Sequence, residues 1–362
     1  MSRFFSIILH LSRKRRTFAP KIQHRWILLQ NMKVLVTGAS GFIGSFIVEE
    51  ALERGMEVWA AVRKTSSREF LKDERIHFIE LDFSSKEKLV EQMEGQEFDY
   101  VVHAAGVTKC LNQEDFFRVN TDGTRNFVDA LLELQMPLKR FVYLSSLSVF
   151  GPIREEQPYQ EICETDIPKP NTAYGKSKLK AEEYLDSIGN NFPYIVLRPT
   201  GVYGPREKDY FLMAKSIKAH SDFAVGFRRQ DITFVYVRDV VQAVFLAFDH
   251  GMSGRKYFLS DGKVYQSSAF SNYIRRELGN PWWIRVTAPI WVLRIVTWFG
   301  ERIGHMKGKI TALNNDKYHI LKQRNWRCNI EPTMDELGYH PYFDLERGVK
   351  ETIAWYQDNG WL

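Results

Sequence analysis

Short apolar runs alternate with stretches of helical periodicity along the first two thirds of the chain. The runs are rich in valine, isoleucine and aromatic residues, which suit buried strands, whereas the longer stretches have apolar residues three and four positions apart, as in amphipathic helices. The predicted strands are 34–37, 57–62, 76–81, 100–104, 141–145 and 194–198. One helix is predicted to begin at Ile43, and others are predicted over 86–93, 121–135 and 181–186. This alternation predicts an α/β fold, a doubly wound parallel sheet of Rossmann type with helices on both faces.

Domain organisation follows from where this alternation breaks down, after Pro199. A strand at 232–237 and a helix at 240–248 are predicted to return to the same sheet, and most of the remainder is predicted to form a smaller, interleaved C-terminal domain for the substrate. The expected division is a basic tail over 1–31, a cofactor-binding domain over 32–200 that also receives about 230–250, and a substrate-binding region over 201–229 and 251–362.

Positive charge is concentrated in the tail. The chain of 362 residues has a net charge of +6, but residues 1–31 hold seven lysines and arginines and no acid, so 43 basic and 44 acidic residues remain from Met32 onward. The body of the protein therefore carries no basic excess that would predict a nucleic-acid partner. The tail itself fits a transit peptide, a membrane-surface arm, a disordered segment or an upstream extension of a true start at Met32.

The cysteines carry no metal or disulfide pattern. Cys110, Cys163 and Cys328 are scattered and odd in number. This usage favours a reducing, cytoplasmic environment and predicts no metal site.

Three glycines follow the first predicted strand at intervals of three residues. Gly38, Gly41 and Gly44 lie in the segment KVLVTGASGFIG, between a strand and a helix. Glycine permits a tight turn, lets backbone N–H groups approach a pyrophosphate and lets the helix pack close to the strand. An ordinary turn can use the same residues, but the position between strand and helix favours a dinucleotide cradle.

A tyrosine and a lysine four residues apart, Tyr174 and Lys178, share one face of a predicted helix. The pKa of free tyrosine, about 10, is too high for acid–base catalysis near neutral pH. An adjacent ammonium, together with an oxidised nicotinamide, is expected to lower it. A simple surface pair is the alternative.

Hydroxyl and amide side chains lie near the ends of the neighbouring predicted elements. Ser146 ends a strand at the carboxyl edge of the sheet and could donate to a substrate carbonyl, with Ser145 and Ser148 as rivals. These serines could instead satisfy backbone groups at the strand end. Asn120 precedes a helix and could cap it or take part in a proton relay.

In combination, these motifs resemble the extended short-chain dehydrogenase/reductase family. The resemblance runs from Met32 to the C-terminus and rests on TGxxGxxG at 37–44, Asp82, HAAG at 103–106, Asn120, Ser146 and the pair Tyr174 and Lys178. It implies that Tyr174 is the catalytic acid/base, that Lys178 lowers its pKa and holds the nicotinamide ribose, and that Ser146 donates to the carbonyl. Asn120 would support a water relay. The implied cofactor-binding residues are Gly38, Gly41, Phe42, Ile43 and Gly44 around the pyrophosphate, Asp82 at the adenine, and Ala104 and Ala105.

The end of the second strand bears on the choice of nicotinamide. Strand 57–62 is followed by Arg63 and Lys64, where NAD-preferring relatives often have an acid that binds the ribose hydroxyls. A guanidinium at this point suits a 2′-phosphate. NADP(H) is therefore favoured, while NAD(H) stays open because an arginine can also stack on adenine.

Two segments bear on the substrate. Segment 197–205 has Gly201 where sugar-nucleotide members of the family usually have asparagine, and it resembles the form found in 3β-hydroxysteroid dehydrogenase-like proteins. Segment 281–300 holds four of the nine tryptophans and predicts an amphipathic helix over about 288–304. Its apolar stripe could pack on the protein body, lie at a membrane interface or line a greasy substrate entrance.

The resemblance to 3β-hydroxysteroid dehydrogenase-like proteins, and to bacterial ketone reductases of ceramide synthesis, implies an NAD(P)H-dependent oxidoreductase. It would interconvert a ketone and a secondary alcohol on a hydrophobic lipid, either a 3-ketosphinganine-type sphingoid base or a 3-keto/3β-hydroxysteroid. The alternative is a nucleotide-sugar 4-epimerase or dehydratase. A non-catalytic structural member is a lesser alternative, since a structural role does not need an intact catalytic set.

The expected partner is a small lipid-like molecule, with peripheral membrane contact at the inner face of the membrane and a homodimer as further expectations. The residues expected near the substrate are Thr108, Ser148, Gly201, Tyr203 and Trp291.

Overall fold

A computed structural model describes residues 29–308 and 314–362. The strands are β1 (Lys33–Thr37), β2 (Glu57–Val62), β3 (His77–Glu80), β4 (Tyr100–His103), β5 (Arg140–Leu144), β6 (Tyr194–Pro199), β7 (Gly201–Tyr203), β8 (Ser221–Val225), β9 (Asp231–Ile232), β10 (Phe234–Tyr236), β11 (Lys256–Leu259), β12 (Tyr265–Gln266), β13 (Ile284–Ala288) and β14 (Asn325–Trp326). The predicted tail over 1–31 lies outside the described residues except for its last three.

The helices alternate with the strands of the first half and dominate the second half. They are α1 (Phe42–Glu53), α2 (Lys86–Met93), α3 (Gln113–Phe116), α4 (Gly123–Glu133), α5 (Ala173–Ile188), α6 (Lys208–Lys218), α7 (Val237–His250), α8 (Ala269–Glu277), α9 (Ile290–Lys307), α10 (Asn315–Lys322), α11 (Glu331–Leu337) and α12 (Leu345–Asp358). A π-helical turn, Phe117–Asp122, joins α3 to α4.

Seven parallel strands form the central sheet, in the order β11-β6-β5-β4-β1-β2-β3. The six strands predicted from apolar runs all lie in it. Alternate residues of β1 pack into two hydrophobic clusters, one with α1 and α7 and the other with α2, α4 and α5. The predicted doubly wound α/β fold is thereby confirmed, and the strand order reverses between β1 and β4, where folds of this type bind their ligands.

The prediction that strand 232–237 joins this sheet is wrong. β10 pairs in parallel with β7 in a separate two-stranded sheet, and β11 occupies the edge of β6 instead. β11 is a run of only four residues, KYFL, and these residues are too few to show a strand pattern that differs from their surroundings. The large sheet therefore includes residues 256–259, which the sequence had assigned to the substrate-binding region.

The C-terminal region packs around an aromatic cluster. Its buried members come mainly from β7, β10, α6, α8 and α12 and include Tyr203, Phe234, Tyr236, Phe270 and Tyr356. Two smaller sheets, β13-β8 and β12-β9-β14, border this cluster. Helix α9 follows β13 and packs against α10.

Candidate active site

The glycine segment forms a cradle between β1 and α1. Gly38 has φ +66°, and a Cβ there would lie 2.6 Å from the carbonyl oxygen of Ala104. A Cβ on Gly44 would lie 2.2 Å from the carbonyl oxygen of Gly38. Gly41 is the N-cap of α1 and makes no side-chain capping bond. The backbone can therefore approach a pyrophosphate closely, with the helix N-terminus facing the anion, so the residues present fit a dinucleotide.

A chain of hydrogen bonds runs from this cradle toward the neighbouring helix. The Ala105 N–H donates to Thr37 Oγ1 (3.1 Å), which lies 2.8 Å from Nδ1 of His103. Nε2 of His103 lies 3.0 Å from Thr124 Oγ1, and Thr124 donates to the carbonyl of Asn120 (2.7 Å). Because the Thr124 hydroxyl proton is already used, Nε2 must be the protonated nitrogen of the imidazole. Burial, and then the charge of Lys178, lower the pKa of His103 to about 3, so its ring is neutral.

Asn120 is fully buried in the π-helical turn before α4. Its Oδ1 accepts from the Val107 N–H (2.8 Å), and its Nδ2 donates to the Val107 carbonyl (3.0 Å) and to Ser177 Oγ (3.0 Å). Such turns recur at functional sites. Asn120 therefore holds the segment after β4 against the helix that carries Tyr174, and it does not cap α4.

Helix α5 brings Tyr174 and Lys178 to the carboxyl edge of the sheet. Lys178 is buried, and its Nζ donates to the Leu144 carbonyl at the end of β5 (2.8 Å) and lies 4.7 Å from the centre of the Tyr143 ring. A Cβ on Gly106 would lie 3.3 Å from Nζ, so the segment after β4 passes directly beside the lysine. The two side chains belong to a built site, not to a surface pair.

Ser146 completes the predicted catalytic set. Its Oγ donates to Ser148 Oγ and accepts from the Ser148 N–H, both at 3.1 Å, and it also hydrogen-bonds Tyr174. Ser145 points elsewhere, because its hydroxyl donates to the buried carboxylate of Glu182. Of the three serines considered from the sequence, Ser146 is the one in contact with Tyr174.

The pKa of Tyr174 departs from the expected direction. Burial of the phenol raises it to about 12, and the hydrogen bond to Ser146 offsets this only in part. Burial also lowers the pKa of Lys178 to about 8, with the nearby Glu182 acting in the opposite sense. In the protein by itself, desolvation therefore outweighs the effect of the polar neighbours of Tyr174. The predicted lowering requires the oxidised nicotinamide as well as Lys178, and it stays a prediction.

A buried ion pair supports the catalytic helix from below. Glu182 lies one turn beyond Lys178 and pairs with Arg198 of β6 (Nη2 to Oε2, 2.5 Å). Both side chains are at most 5% exposed. Removing Glu182 would leave the buried charge of Arg198 without its partner, so this pair fixes α5 against β6.

Asp316 is a site residue that sequence reasoning missed. Its carboxylate accepts from the main-chain N–H groups of Ala173 and Tyr174, each at 3.0 Å. The Thr172 hydroxyl oxygen, at the N-cap of α5, accepts from the Gly175 N–H (2.9 Å). The side chains of Asp316 and Thr172 together therefore accept from the main-chain N–H groups of the first turn of α5. No local signal could have found Asp316, because it lies in α10, 142 residues after Tyr174.

The remaining predicted cofactor residues surround the cradle. Phe42 and Ile43 begin α1, and Ala104 and Ala105 follow β4. Arg63 is exposed directly after β2, and within the described residues its guanidinium forms no ion pair. The Asp82 carboxylate is already engaged, since it pairs with Lys88 (2.7 Å) and accepts from the Ser84 N–H, contacts that lower its pKa to about 2.

The residues predicted near the substrate separate into different environments. Ser148 lies beside Ser146, and Thr108 is exposed in the segment after β4. A Cβ on Gly201 would lie 3.1 Å from the Tyr210 hydroxyl and 3.2 Å from the Phe234 ring, so aromatic side chains fill the space that an asparagine there would need. Trp291 is 66% exposed on α9.

The expectation for Tyr203 is wrong. This residue is fully buried in the C-terminal aromatic cluster, and its hydroxyl donates to the Asp344 carbonyl (3.1 Å). Its neighbours in segment 197–205 gave no indication of which side of the short strand β7 it occupies.

Two features that would indicate other functions are absent from the part of the chain that the structure describes. Within 29–308 and 314–362, no group of histidine, cysteine and acidic side chains has the arrangement of a metal site. Over the same ranges, no helix combines the length and apolar character needed to cross a membrane.

Comparison with known proteins identifies the family. Residues 34–260 match the model of the NAD dependent epimerase/dehydratase family. The chain is 25% identical over 360 residues to a sterol-4-alpha-carboxylate 3-dehydrogenase (decarboxylating) of Schizosaccharomyces pombe, a match covering 89% of this chain and 96% of the relative. It is 26% identical over 356 residues to a 3-beta-hydroxysteroid dehydrogenase of Mycolicibacterium neoaurum, covering 90% and 92%.

The fold agrees with this assignment. The structure of a UDP-glucose 4-epimerase of Thermotoga maritima superimposes with a TM-score of 0.73 at 22% identity, covering 91% of this chain and 99% of that one. The family model covers well over half of the sequence and includes the cradle, Asn120, Ser146, Tyr174 and Lys178. The chain therefore belongs to the NAD dependent epimerase/dehydratase family, the extended short-chain dehydrogenases/reductases.

Proposed function

We propose that this protein is an NAD(P)H-dependent oxidoreductase that interconverts a ketone and a secondary alcohol on a hydrophobic lipid. The observation that carries the proposal is the assembly of Ser146, Tyr174 and Lys178 on the carboxyl edge of the sheet that bears the glycine cradle. A nicotinamide bound there supplies hydride transfer to or from the substrate carbon.

The residues of the chain supply orientation and the proton. Ser146 donates a hydrogen bond to the carbonyl oxygen and holds it against the Tyr174 hydroxyl. The raised pKa of Tyr174 keeps the phenol protonated at neutral pH, which suits proton donation to the alcohol oxygen as it forms. Lys178, anchored on Leu144, lies one helical turn after Tyr174 and would hold the nicotinamide ribose, and Asn120 fixes the segment that passes beside the lysine.

The lipid class of the substrate is supported by the aromatic surroundings of Gly201. Tyr210 and Phe234 fill the space beside this glycine, where sugar-nucleotide members usually place an asparagine. Two of the relatives named above are, by name, sterol and steroid dehydrogenases. A 3-keto/3β-hydroxysteroid and a 3-ketosphinganine-type sphingoid base both fit a ketone on a long apolar body.

The cofactor is proposed to be NADP(H). The exposed guanidinium of Arg63 directly after β2 is suited to a ribose 2′-phosphate. A cytoplasmic location at the inner face of the membrane accords with a lipid substrate, and the homodimer stays a prediction.

The test mixes purified protein with NADPH or NADH and, in turn, 3-ketosphinganine, a 3-ketosteroid and a UDP-sugar, following nicotinamide absorbance and product. Turnover of either lipid ketone is expected. Turnover of the UDP-sugar alone, without net change in the nicotinamide, would instead establish the epimerase alternative, for which the Thermotoga maritima enzyme shares the fold.

A matched pair of variants tests the catalytic assignment. Tyr174→Phe removes only the hydroxyl and should abolish turnover while NADPH still binds. Tyr184 lies ten residues further along the same helix, and its hydroxyl donates to Asp129. Tyr184→Phe removes that hydroxyl and should leave turnover near that of the wild type. Normal turnover by Tyr174→Phe would disprove the assignment.

A further inference from the structure

Helix α9 presents its apolar side outward. Its exposed large apolar side chains, called here the α9 surface, are Trp291, Ile295, Val296, Trp298, Phe299, Ile303 and Met306, which are 43% to 87% exposed. The residues of this helix that are buried are Leu293, Thr297 and Gly304. Because successive residues of an α-helix are about 100° apart, the α9 surface lies opposite this buried side.

This orientation is the reverse of that of a helix packed on a core. Thr297 faces the protein, and its hydroxyl donates to the Leu293 carbonyl of the preceding turn (2.9 Å). The apolar stripe, which would be buried in a helix packed on a core, is instead accessible to solvent. The two-stranded sheet that leads into α9 adds further exposed apolar side chains, because Phe223 of β8 and its partner Val286 of β13 are 69% and 48% exposed. This many exposed apolar side chains on α9 and on the sheet that precedes it indicate an interaction surface.

The charges on helix α9 are mostly positive. Arg294, Arg302 and Lys307 are basic, and Glu301 is the one acid of the helix. Arg285 of the preceding strand pairs with Asp222 (2.5 Å) and adds no net charge. Arg294 and Lys307 are exposed on α9, and the Arg302 guanidinium lies 4.7 Å from the centre of the Trp298 ring. Tryptophan interleaved with arginine is typical of segments that lie in the interface of a bilayer, with apolar rings among the acyl chains and cations at the headgroups.

We propose that the α9 surface docks on an anionic lipid bilayer, with α9 lying in the plane of the headgroups. Charge complementarity selects this occupant, since basic side chains attract anionic lipid. A second copy of the chain docked on this surface would bring together the basic side chains of two α9 helices, Arg294, Arg302 and Lys307 of each, and an excess of like charge opposes association. The charged residues within α9 also oppose insertion across the bilayer.

Docking would place the bilayer near the catalytic helix α5, with only helix α10 between α9 and α5. α9 packs against α10, and Asp316 of α10 binds the main-chain N–H of Tyr174. A lipid leaving the membrane at α9 would therefore meet the catalytic edge of the sheet within a short distance of the bilayer surface. This consequence depends on the proposed function, whereas the docking itself does not.

The test is flotation of the full chain with vesicles of phosphatidylcholine alone or mixed with phosphatidylglycerol, in the absence of cofactor and substrate. The protein is expected to float with the mixed vesicles, less so with phosphatidylcholine, and progressively less as salt increases. An inactive oxidoreductase would not change this result, so failure of the docking and failure of the proposed function are distinguishable.

Two double variants locate the contact. Trp291→Ser/Phe299→Ser removes apolar area, and its matched control Leu132→Ser/Met252→Ser changes exposed apolar residues at the opposite, amino edge of the sheet. Arg294→Gln/Arg302→Gln removes two charges and should weaken binding to mixed vesicles about thirtyfold. Its control, Lys72→Gln/Lys139→Gln, removes two charges that precede β3 and β5.

Binding weakened by both α9 variants and unchanged by both controls supports the proposal. The proposal is overturned if the wild type floats with neither kind of vesicle. It is also overturned if the α9 variants float like the wild type, since the basic tail would then account for the binding. A third contrary result is light scattering in which the wild type is a dimer, the α9 variants are monomers and no vesicles are bound.

Discussion

Replacing Asp316 by alanine tests how α10 supports the catalytic helix. The substitution removes two hydrogen bonds, to the main-chain N–H groups of Ala173 and Tyr174, both at 3.0 Å. Loss of a helix N-cap costs about 0.5–2 kcal/mol, and loss of a negative charge at a helix N-terminus costs about 0.3–1 kcal/mol more. The free energy of unfolding is therefore expected to fall by about 1–3 kcal/mol, measured by urea denaturation.

The same substitution should reduce catalysis, because Tyr174 lies in the turn that Asp316 holds. If about 1.4 kcal/mol of this free energy serves to keep the tyrosine in place, kcat falls about tenfold. The Kd for NADPH should change little, since the glycine cradle that receives the pyrophosphate is formed by β1 and α1. Rates would be measured with the lipid ketone that the wild type turns over.

Thr172→Ala is the matched control. It removes the bond to the Gly175 N–H in the same turn but leaves the link between α10 and α5 intact. Both variants should lose stability, and Asp316→Ala should lose more of its kcat. If Asp316→Ala unfolds at the wild-type urea concentration, or if the two variants lose kcat equally, the reasoning about α10 is refuted.

Three further predictions concern the cofactor, the pH dependence and the aromatic side chains beside Gly201. Arg63→Ala should weaken NADPH binding much more than NADH binding in titrations of nicotinamide fluorescence, and equal losses would exclude a phosphate contact. In the folded protein the pKa of His103 is about 3, whereas in the unfolded chain it is about 6.5. Between these pH values the unfolded state binds the extra proton, so the free energy of unfolding falls by up to about 1.4 kcal/mol for each pH unit of acidification. His103→Gln should accordingly reduce the difference between the urea midpoints at pH 7 and pH 5. Gly201→Asn should lower the free energy of unfolding by about 1–3 kcal/mol through overpacking against Tyr210 and Phe234. Unchanged stability would mean that these two side chains move aside at little cost.

The sequence predicted most reliably what is determined locally. Gly44 could be assigned because its close approach to the Gly38 backbone acts within a strand, a turn and a helix that are consecutive in the chain. Gly38 could be assigned because the tight turn after β1 needs its positive φ of +66°, although the backbone that it approaches, at Ala104, is distant in sequence. Tyr174 and Lys178 could be paired because four residues on a helix fix a common face.

What the sequence did not predict depends on contacts between distant segments. Asp316 reaches Tyr174 across 142 residues, and β11 completes the sheet at a position that its four residues do not encode. The amphipathic pattern of α9 defined two faces but not which of them the protein covers. The pKa of Tyr174 rose because burial, which is a property of the whole fold, outweighed its neighbours.

The late position of β11 in the chain has a consequence for how the protein is synthesised and divided. β6 is fully buried along its length, and the strand that covers its outer edge begins at Lys256, after β7, β8 and β10 have been made. A nascent or truncated chain that ends near residue 200 would expose an unpaired apolar strand edge, a common starting point for aggregation. The cofactor-binding half is therefore expected to be insoluble when expressed alone, and deletions should spare residues through Leu259.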